Sequence, residues 1–261
     1  MAAHYVDLNA DVGEGFGAYA IGDDEALMQV VTSVNVACGF HAGDPRVMAR
    51  TVQRAARAGL GIGAHVGYPD RVGFGRRAMA LSPEELRTDV LYQIGALAAF
   101  CRAEGVALQH VKPHGALYHA ALYDEAVARA VVAAVASFDP GLVVLAIRGS
   151  RLAKVAEAAG LAVAWEGFVD RRYRADGGLV ARGQPGAVIE EPERAAEQAV
   201  RMVREGRVRS AEGVEVETSV HTLCIHGDQP GASAIARAVR RRLEAAGVQV
   251  GPLARHPALR R

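Results

Sequence analysis

The chain has 261 residues, of which 51% are hydrophobic and only 5% aromatic, so we expect one large domain with a core of Ala, Val and Leu. A formal net charge of +1 gives no global field for binding nucleic acid or an anionic membrane. No apolar run approaches the ~20 residues of a membrane span, and the first residues lack a signal-peptide pattern. Three cysteines without a CxxC pair favour a reducing compartment. We therefore expect a cytoplasmic protein without nucleic-acid or membrane partners.

Strand-forming and helix-forming segments alternate along the chain. Strands are predicted near 4–9, 33–38, 61–66, 107–112, 142–147, 162–169 and 219–226. Helices are predicted near 23–31, 45–58, 83–104, 116–137, 150–159, 191–205 and 231–246. Several helix starts are marked, as by the capping box that begins at Ser82, and helix ends are followed by glycines such as Gly105. Seven successive βα units imply a parallel sheet, and since no linker interrupts them we predict a single domain over 1–261.

The first strand distinguishes between two parallel architectures. Over residues 6–11, apolar side chains alternate with acidic and amide side chains. In an open sheet that helices cover on both sides, both faces should be apolar. In a barrel, the apolar face meets the helices while polar side chains point inward. We therefore predict a single-domain parallel β/α barrel, seven-stranded and imperfectly closed, with its site at the carboxyl ends of the strands.

The segment DLNADVGEGFG, residues 7–17, combines acidic and amide side chains with three glycines. Strand alternation places Asp7, Asn9 and Asp11 on one face. Asp7, Asp11 and Glu14 can bind a metal, act as a general base or orient a lysine. The alternative is an Asx-rich turn that caps the first helix, and the shared strand face favours the functional interpretation.

The second strand ends in the segment SVNVACGFHAGDP, residues 33–45. Asn35 lies in the strand, and His41 follows it as a candidate acid, base or ligand. A hydrogen-bonded loop histidine is the alternative. Cys38 is interpreted as structural, because no feature of the sequence indicates a lowered thiol pKa.

The segment HVKPHGALYH, residues 110–119, places a cation and an imidazole around a stiff proline. Lys112 ends the fourth predicted strand and Pro113 fixes the step to His114. Lys112 can stabilise a developing oxyanion or a phosphoryl group, and His114 can move a proton. A core histidine with a snorkelling lysine is the alternative, which the position at a strand end disfavours.

Three further loops carry candidate binding residues. The Gly-rich segment 63–77 holds His65 and Arg76, although arginines there can also form a solvated surface pair. Segments 166–183 and 224–233 contain acidic, basic and imidazole side chains that suit a carboxylate or phosphate. The candidates in these two segments are Glu166, Asp170, Arg171, His226 and Asp228. Neither a Walker P-loop nor a Rossmann fingerprint is present.

Together these segments resemble the family of 5-oxoprolinase A subunits, formerly the LamB/YcsF family. The matching blocks are DLNADVGEGFG, NVACGFHAGDP, GYPDRVGFGRR, HVKPHGALY, FVDRRYRADGGLVARG and IHGDQPGA. They cover residues 7–232 in the order of the family. The resemblance implies a seven-stranded barrel akin to the sugar deacetylases, ATP-dependent opening of 5-oxoproline to L-glutamate with ADP and phosphate as products, and assembly with the B and C subunits of the same enzyme.

For this reaction we assign residue roles as hypotheses. The predicted catalytic residues are Asp11, His41, Lys112 and His114. The predicted substrate- or phosphate-binding residues are Asp7, Asn9, Glu14, Asn35, His65, Arg76, Glu166, Asp170, Arg171, His226 and Asp228. ATP is expected to act with Mg²⁺, which Asp7 and Glu14 can hold, and no tightly bound metal is assigned.

Two other functions remain open from the sequence. A metal-dependent deacetylase or amidohydrolase would use Asp11 with His41, His65 or His114 to bind Zn²⁺ and activate water. A non-enzymatic subunit would only present substrate to its partners. The polar strand ends favour an enzyme.

Overall fold

The computed structural model describes residues 4–259, so residues 1–3 and 260–261 of the predicted domain lie outside the described part. The strands, in chain order, are β1 Tyr5–Val12, β2 Ser33–Ala37, β3 Gly61–Val66, β4 Leu108–Pro113, β5 Val143–Ala146, β6 Ala162–Phe168, β7 Arg207–Arg209, β8 Glu215–Glu217, β9 Thr222–Ile225 and β10 Gln249–Val250. The helices are α1 Asp24–Met28, α2 Pro45–Arg57, α3 Pro83–Ala103, α4 Gly115–Tyr123, α5 Glu125–Phe138, α6 Arg151–Ala158, α7 Pro192–Glu205 and α8 Ala232–Ala245.

Seven of these strands form a parallel barrel. Their order around the ring is β1-β2-β3-β4-β5-β6-β9, and pairing of β9 with β1 closes it. The predicted seven-stranded barrel is therefore confirmed, and its ring is closed rather than interrupted. The β4–β5 ladder is the shortest, with two residue pairs. Strand β10 adds to the amino end of β1 outside the ring.

The two faces of β1 separate as the alternation predicts. Val6, Leu8 and Ala10 are fully buried in the hydrophobic core formed with the surrounding helices. The intervening Asp7 and Asn9 are equally buried, but their hydrogen bonds run across the inside of the ring. The barrel therefore has an apolar outer face and a polar interior.

Two local features differ from the sequence-based expectation. The helix predicted over 116–137 is two helices, because Asp124 has an extended backbone and its carboxylate accepts hydrogen bonds from the backbone amides of Ala126 and Val127. An aspartate in this conformation starts a new helix instead of continuing the previous one. The antiparallel hairpin β7–β8 lies in a stretch where no strand was predicted. Within residues 4–259, no helix combines the length and apolarity needed to cross a membrane.

Candidate active site

The lowest polar layer of the interior is built around Asp7. Its carboxylate accepts hydrogen bonds from the hydroxyls of Thr32 at 2.7 Å, Ser33 at 2.8 Å and Thr222 at 2.5 Å. Burial raises the pKa of Asp7, and these hydrogen bonds oppose the rise. The partners lie at the amino ends of their strands, far from the predicted site edge. The structure therefore gives Asp7 a role in joining strands and does not support its predicted contact with substrate or Mg²⁺.

The middle layer consists of two asparagines that hold the carboxylates above them. Asn35 Nδ2 donates to Asn9 Oδ1 at 2.7 Å and to Asp11 Oδ1 at 2.8 Å. Asn9 Nδ2 donates to Thr222 Oγ1 at 2.7 Å and to Glu166 Oε1 at 3.3 Å. Both asparagines therefore orient side chains rather than face the cavity.

Lys112 is fixed inside the barrel by two carboxylates and a thiol. Its Nζ donates to Asp11 Oδ1 at 2.8 Å, Cys224 Sγ at 2.9 Å and Glu166 Oε1 at 3.1 Å. Burial alone would lower the pKa of Lys112, but the charges of Asp11 and Glu166 raise it well above its usual value. Burial would likewise raise the pKa of Asp11, yet His65 and Lys112 hold it well below its usual value. The site thus keeps a permanent ammonium group beside a permanent carboxylate.

Three histidines gather above this ion pair. His65 Nε2 lies 3.3 Å from Asp11 Oδ2, and His114 Nδ1 lies 3.0 Å from His65 Nε2. The His41 ring stacks on His114 with 3.8 Å between centroids and 6° between planes. Gly75 permits this approach, because a Cβ there would lie 2.6 Å from the His41 Cβ and 2.8 Å from His114 Cδ2. Burial lowers the pKa of both His41 and His114 well below the usual value, so both are neutral near pH 7.

Glu14 completes the histidine cluster from the loop after β1. Its Oε1 lies 3.4 Å from His41 Nε2 and 3.7 Å from His114 Nδ1. Burial raises its pKa well above the usual value, and the nearby Asp11 and Asp228 charges add to the rise. Among the described residues, Glu14 Oε1 and both ring nitrogens of His41 have no hydrogen-bond partner. These buried polar atoms are available to a ligand.

Arginines surround the opening above the lysine. Arg76 pairs with Asp228 at 2.6 Å, and Arg182 approaches the same carboxylate at 3.7 Å. Arg171 donates to the Val180 carbonyl, while its buried Nε has no partner among the described residues. Burial, together with the nearby Arg182 charge, lowers the pKa of Arg171 to about 10. A positive rim of this kind suits a carboxylate or phosphate.

The pair of Asp170 and His226, after the ends of β6 and β9, supports the arginine rim. Asp170 Oδ1 and Oδ2 both lie 2.9 Å from His226 Nδ1, and the His226 backbone amide donates to the same carboxylate at 3.1 Å. Burial would raise the pKa of Asp170, but His226 holds it below the usual value. This pair fixes the His226 ring, which stacks on Phe168.

The structure brings most of the predicted residues to one small cavity of about 70 Å³. The predicted residues that line it are Asp11, His65, Arg76, Lys112, His114, Arg171 and His226. Those that lie directly behind this lining are Asn9, Glu14, Asn35, His41, Glu166, Asp170 and Asp228. Asp7 is the exception.

Three side chains with aromatic or charged groups line the cavity beside Pro113, Gly115 and Leu179, and none of these six residues was predicted from the sequence. Arg182, Tyr118 and Phe168 all border it. Arg182 lies in the same arginine-rich segment as Arg171. The sequence pointed to this segment as anion-binding but did not show which of its arginines reach the cavity. Tyr118 and Phe168 look like ordinary core residues in sequence.

Within residues 4–259, two groups of buried or half-buried side chains have donor atoms close enough to share a metal ion. In each group the donor atoms lie within 4.8 Å of one another. The groups are Glu14, His41, His65 and His114, and Asp11, Cys224 and His226. In the second group, the carboxylate and thiol already bind the Lys112 ammonium, so the first is better suited to a cation.

Comparison with known proteins gives a consistent result. The sequence model of the LamB/YcsF family matches residues 6–258. The 5-oxoprolinase A subunit of Symbiobacterium thermophilum is 58% identical over 94% of both chains. That of Pyrococcus abyssi is 55% identical over 95% of this chain and 97% of its own.

Solved structures extend the comparison to the fold. A lactam utilization protein from Thermus thermophilus is 52% identical and superposes with a TM-score of 0.90, over 95% of this chain and 99% of its own. A protein described as T48 deacetylase is only 13% identical, with a TM-score of 0.51 over 96% of this chain and 89% of its own. This second likeness shows a shared fold alone.

Proposed function

Because the chain belongs to the LamB/YcsF family, we propose that it is the A subunit of a 5-oxoprolinase. Its substrate is 5-oxo-L-proline, which it opens to L-glutamate while ATP is converted to ADP and phosphate. The proposal also includes B and C subunits as partners, since the relatives are themselves named as subunits. A cytoplasmic location agrees with the three free, buried cysteines.

The main structural support for the proposal is the buried Lys112 ammonium, which lies beneath the rim formed by Arg76, Arg171 and Arg182. 5-Oxoproline carries one carboxylate and one lactam carbonyl. Arg171 and Arg182 suit the carboxylate, and Lys112 suits negative charge that develops on the lactam oxygen. The cavity of about 70 Å³ matches a compact part of a small substrate rather than a whole nucleotide.

A lactam needs activation because its amide is stabilised by resonance. Transfer of the γ-phosphoryl group of ATP to the lactam oxygen gives ADP and a better leaving group. Water then adds to the lactam carbonyl carbon, the C–N bond breaks, and the ring nitrogen takes a proton. A second water releases phosphate from the resulting acyl phosphate and leaves glutamate.

The neutral histidines supply the proton transfers in this scheme. His41 is uncharged at pH 7, because burial lowers its pKa, and it has two nitrogens without partners among the described residues, so it can accept a proton from attacking water. Asp11 holds Lys112 and His65 in position. Mg²⁺ would accompany ATP and bind its phosphates.

The proposal is tested by measuring glutamate release from 5-oxoproline and Mg-ATP, using this chain with and without its B and C partners. We expect ATP-dependent release in the full mixture. Lys112→Ala and His114→Ala should each lower the rate by about 10²–10³, as loss of an electrostatic or proton-transfer group does. Full activity of both variants, or no ATP-dependent release in any mixture, would contradict the proposal.

The histidine cluster also supports a second candidate, a metal-dependent amidohydrolase. Four buried nitrogen and oxygen donors within 4.8 Å can hold an ion that activates water without ATP. Hydrolysis of simple acetamides by metal-loaded protein in the absence of ATP would favour this candidate over the first.

A further inference from the structure

A larger groove adjoins the small cavity and shares part of its wall. The volume of the groove is about 410 Å³, which lies within the range of about 300–1,000 Å³ found for ligand and cofactor pockets. The residues that line both the groove and the cavity are Arg76, Gly115, Tyr118, Arg171, Leu179 and Arg182. A ligand in the groove would therefore have one end at the opening of the cavity.

The part of the groove away from the cavity is mainly apolar. One wall is a single face of α4, because Ala116, His119 and Ala120 follow the i, i+3 and i+4 spacing of neighbours on a helix surface. The alanines on this face are small and leave room for a ligand. The other apolar side chains of this part are Tyr68, Ala78, Met79, Leu122, Val180 and Ala181. Such walls suit a flat ring that is polar only at its edge.

The wall shared with the cavity has an excess of positive charge. Arg76 and Arg182 both approach one carboxylate, that of Asp228. Arg171 lies near both of them, since their charges add to burial in lowering its pKa to about 10. Within residues 4–259, the buried Arg171 Nε has no hydrogen-bond partner. Several guanidinium groups around one carboxylate suit a ligand that carries more than one negative charge.

We propose that this groove binds ATP, with the base and ribose against α4 and the phosphates at Arg76 and Arg182. The inference rests on the proposed 5-oxoprolinase function and deepens it, because it assigns the nucleotide site to this chain rather than to a partner subunit. The cavity of about 70 Å³ is too small for a nucleotide, and the sequence has no Walker P-loop. The groove supplies the volume and the charge that the cavity lacks.

The shared wall brings the two substrates together. Lys112 and Arg171 line the same cavity as Arg76 and Arg182, so the γ-phosphate at the arginines faces the lactam oxygen at Lys112. The lactam oxygen forms a bond to the γ-phosphorus, and the bond from that phosphorus to the β–γ bridging oxygen breaks, with its electron pair leaving on ADP. The arginines stabilise the charge on the transferred group, while Arg171 keeps its place at the substrate carboxylate.

The experiment measures binding without turnover, so its result is separate from that of the proposed activity. The full chain is titrated by calorimetry with Mg²⁺ and the non-hydrolysable analogue adenylyl imidodiphosphate, and separately with pyrophosphate. We expect one saturable site for the analogue. Arg182→Gln should weaken the binding of both ligands by about 10–100-fold, as loss of a hydrogen bond to a charged group does. Arg174→Gln, at an exposed arginine outside the groove, is the matched control and should bind like the parent.

A second pair of variants tests the apolar part of the groove. Ala181→Phe places a phenyl ring at its wall and should weaken binding of the ATP analogue by about 10-fold or more, because overlap with the base costs as much as overpacking does. Pyrophosphate has no base, so its binding should stay unchanged. Ala175→Phe, at an exposed alanine outside the groove, should leave the binding of both ligands unchanged.

Photolabelling of the unaltered chain decides the matter if a variant does not fold. The chain is irradiated with Mg²⁺ and 8-azido-ATP, alone and with its B and C partners, and the labelled peptides are identified by mass spectrometry. We expect label in α4 or in residues 179–182, and its loss when excess ATP analogue is present.

Three results would overturn the inference. They are a lack of saturable binding and labelling of this chain at millimolar nucleotide, binding of pyrophosphate but not of the analogue, and equal binding of the analogue by the parent and folded Ala181→Phe. ATP-dependent glutamate release by the full mixture would still support the proposed function in each case, with the nucleotide bound elsewhere in the assembly.

Discussion

The lower and upper halves of the barrel interior are equally buried but differ in how their polar atoms are satisfied. In the lower half, the Asp7 carboxylate accepts three hydroxyl hydrogen bonds. In the upper half, Glu14 Oε1 and both His41 nitrogens have no partner among the described residues. Since an unpaired buried polar atom costs about 1–3 kcal/mol, the upper half is organised for a ligand and the lower half for stability.

Replacement of Lys112 should have the largest effect, because it affects both function and stability. Lys112→Met leaves Asp11 and Glu166 buried without their cation, which should lower the free energy of unfolding by about 3–5 kcal/mol. Urea unfolding measures this loss. Lys154→Met, at the exposed second lysine of the sequence, should change stability little; equal losses in both variants would rule out a special role for the buried ammonium.

Asp7→Asn should destabilise the protein without changing its affinity for substrate. The amide cannot accept all three hydroxyl hydrogen bonds, so the free energy of unfolding should fall by about 1–3 kcal/mol. Asp11→Asn provides the comparison, since it should lower turnover. A raised KM in folded Asp7→Asn would show instead that the lower half takes part in binding.

The buried histidines should make stability depend on pH. Burial, with the Lys112 charge adding to it, lowers the pKa of His110 to about 3. Between its ordinary pKa of about 6.5 and this lowered value, the unfolded chain binds a proton that the folded chain does not, so stability falls as the pH is lowered through this window. His110→Gln should reduce the slope of unfolding free energy against pH by about one proton. A parent slope in His110→Gln would exclude the assignment.

The smallest effect is expected for a methyl group next to the stacked histidines. Gly75→Ala and Gly59→Ala both place alanine at positive φ, at +64° and +67°, which costs about 1–2 kcal/mol in each case. Only Gly75→Ala also brings a Cβ within 2.6 Å of His41. Thermal unfolding should show a larger loss for Gly75→Ala because of this added clash, and glutamate release should fall only in that variant. Equal activities would mean that the histidine stack tolerates displacement.

Strand patterns were enough to predict the barrel and the face on which the site lies. The alternation over 6–11 revealed the polar interior, because the two faces of a strand follow directly from sequence parity. The alternation shows which face a side chain lies on, but not how close it is to the carboxyl end of the strand. Asp7 and Asp11 share a face, but at about 3.3 Å per residue they lie roughly 13 Å apart along the strand, and only Asp11 reaches the cavity.

The cluster of Glu14, His41, His65 and His114 was harder to derive from the sequence. Glu14, His41 and His114 follow three different strands, and their convergence depends on loop conformations and on the close backbone approach at Gly75. Likewise, Asp124 is an ordinary helix residue in sequence, and only its extended backbone shows that it separates α4 from α5.

The closure of the ring by β1 and β9 has a kinetic consequence. The hydrogen bond between Thr222 and Asp7 joins residues 215 positions apart. Contacts of such high sequence separation form slowly, since most of the chain must be ordered before they are made. During synthesis, β1 leaves the ribosome long before β9, so its acidic face stays without its final partner until nearly the whole protein has been translated. We expect refolding to end with the docking of β9, and the site to appear in that same last step.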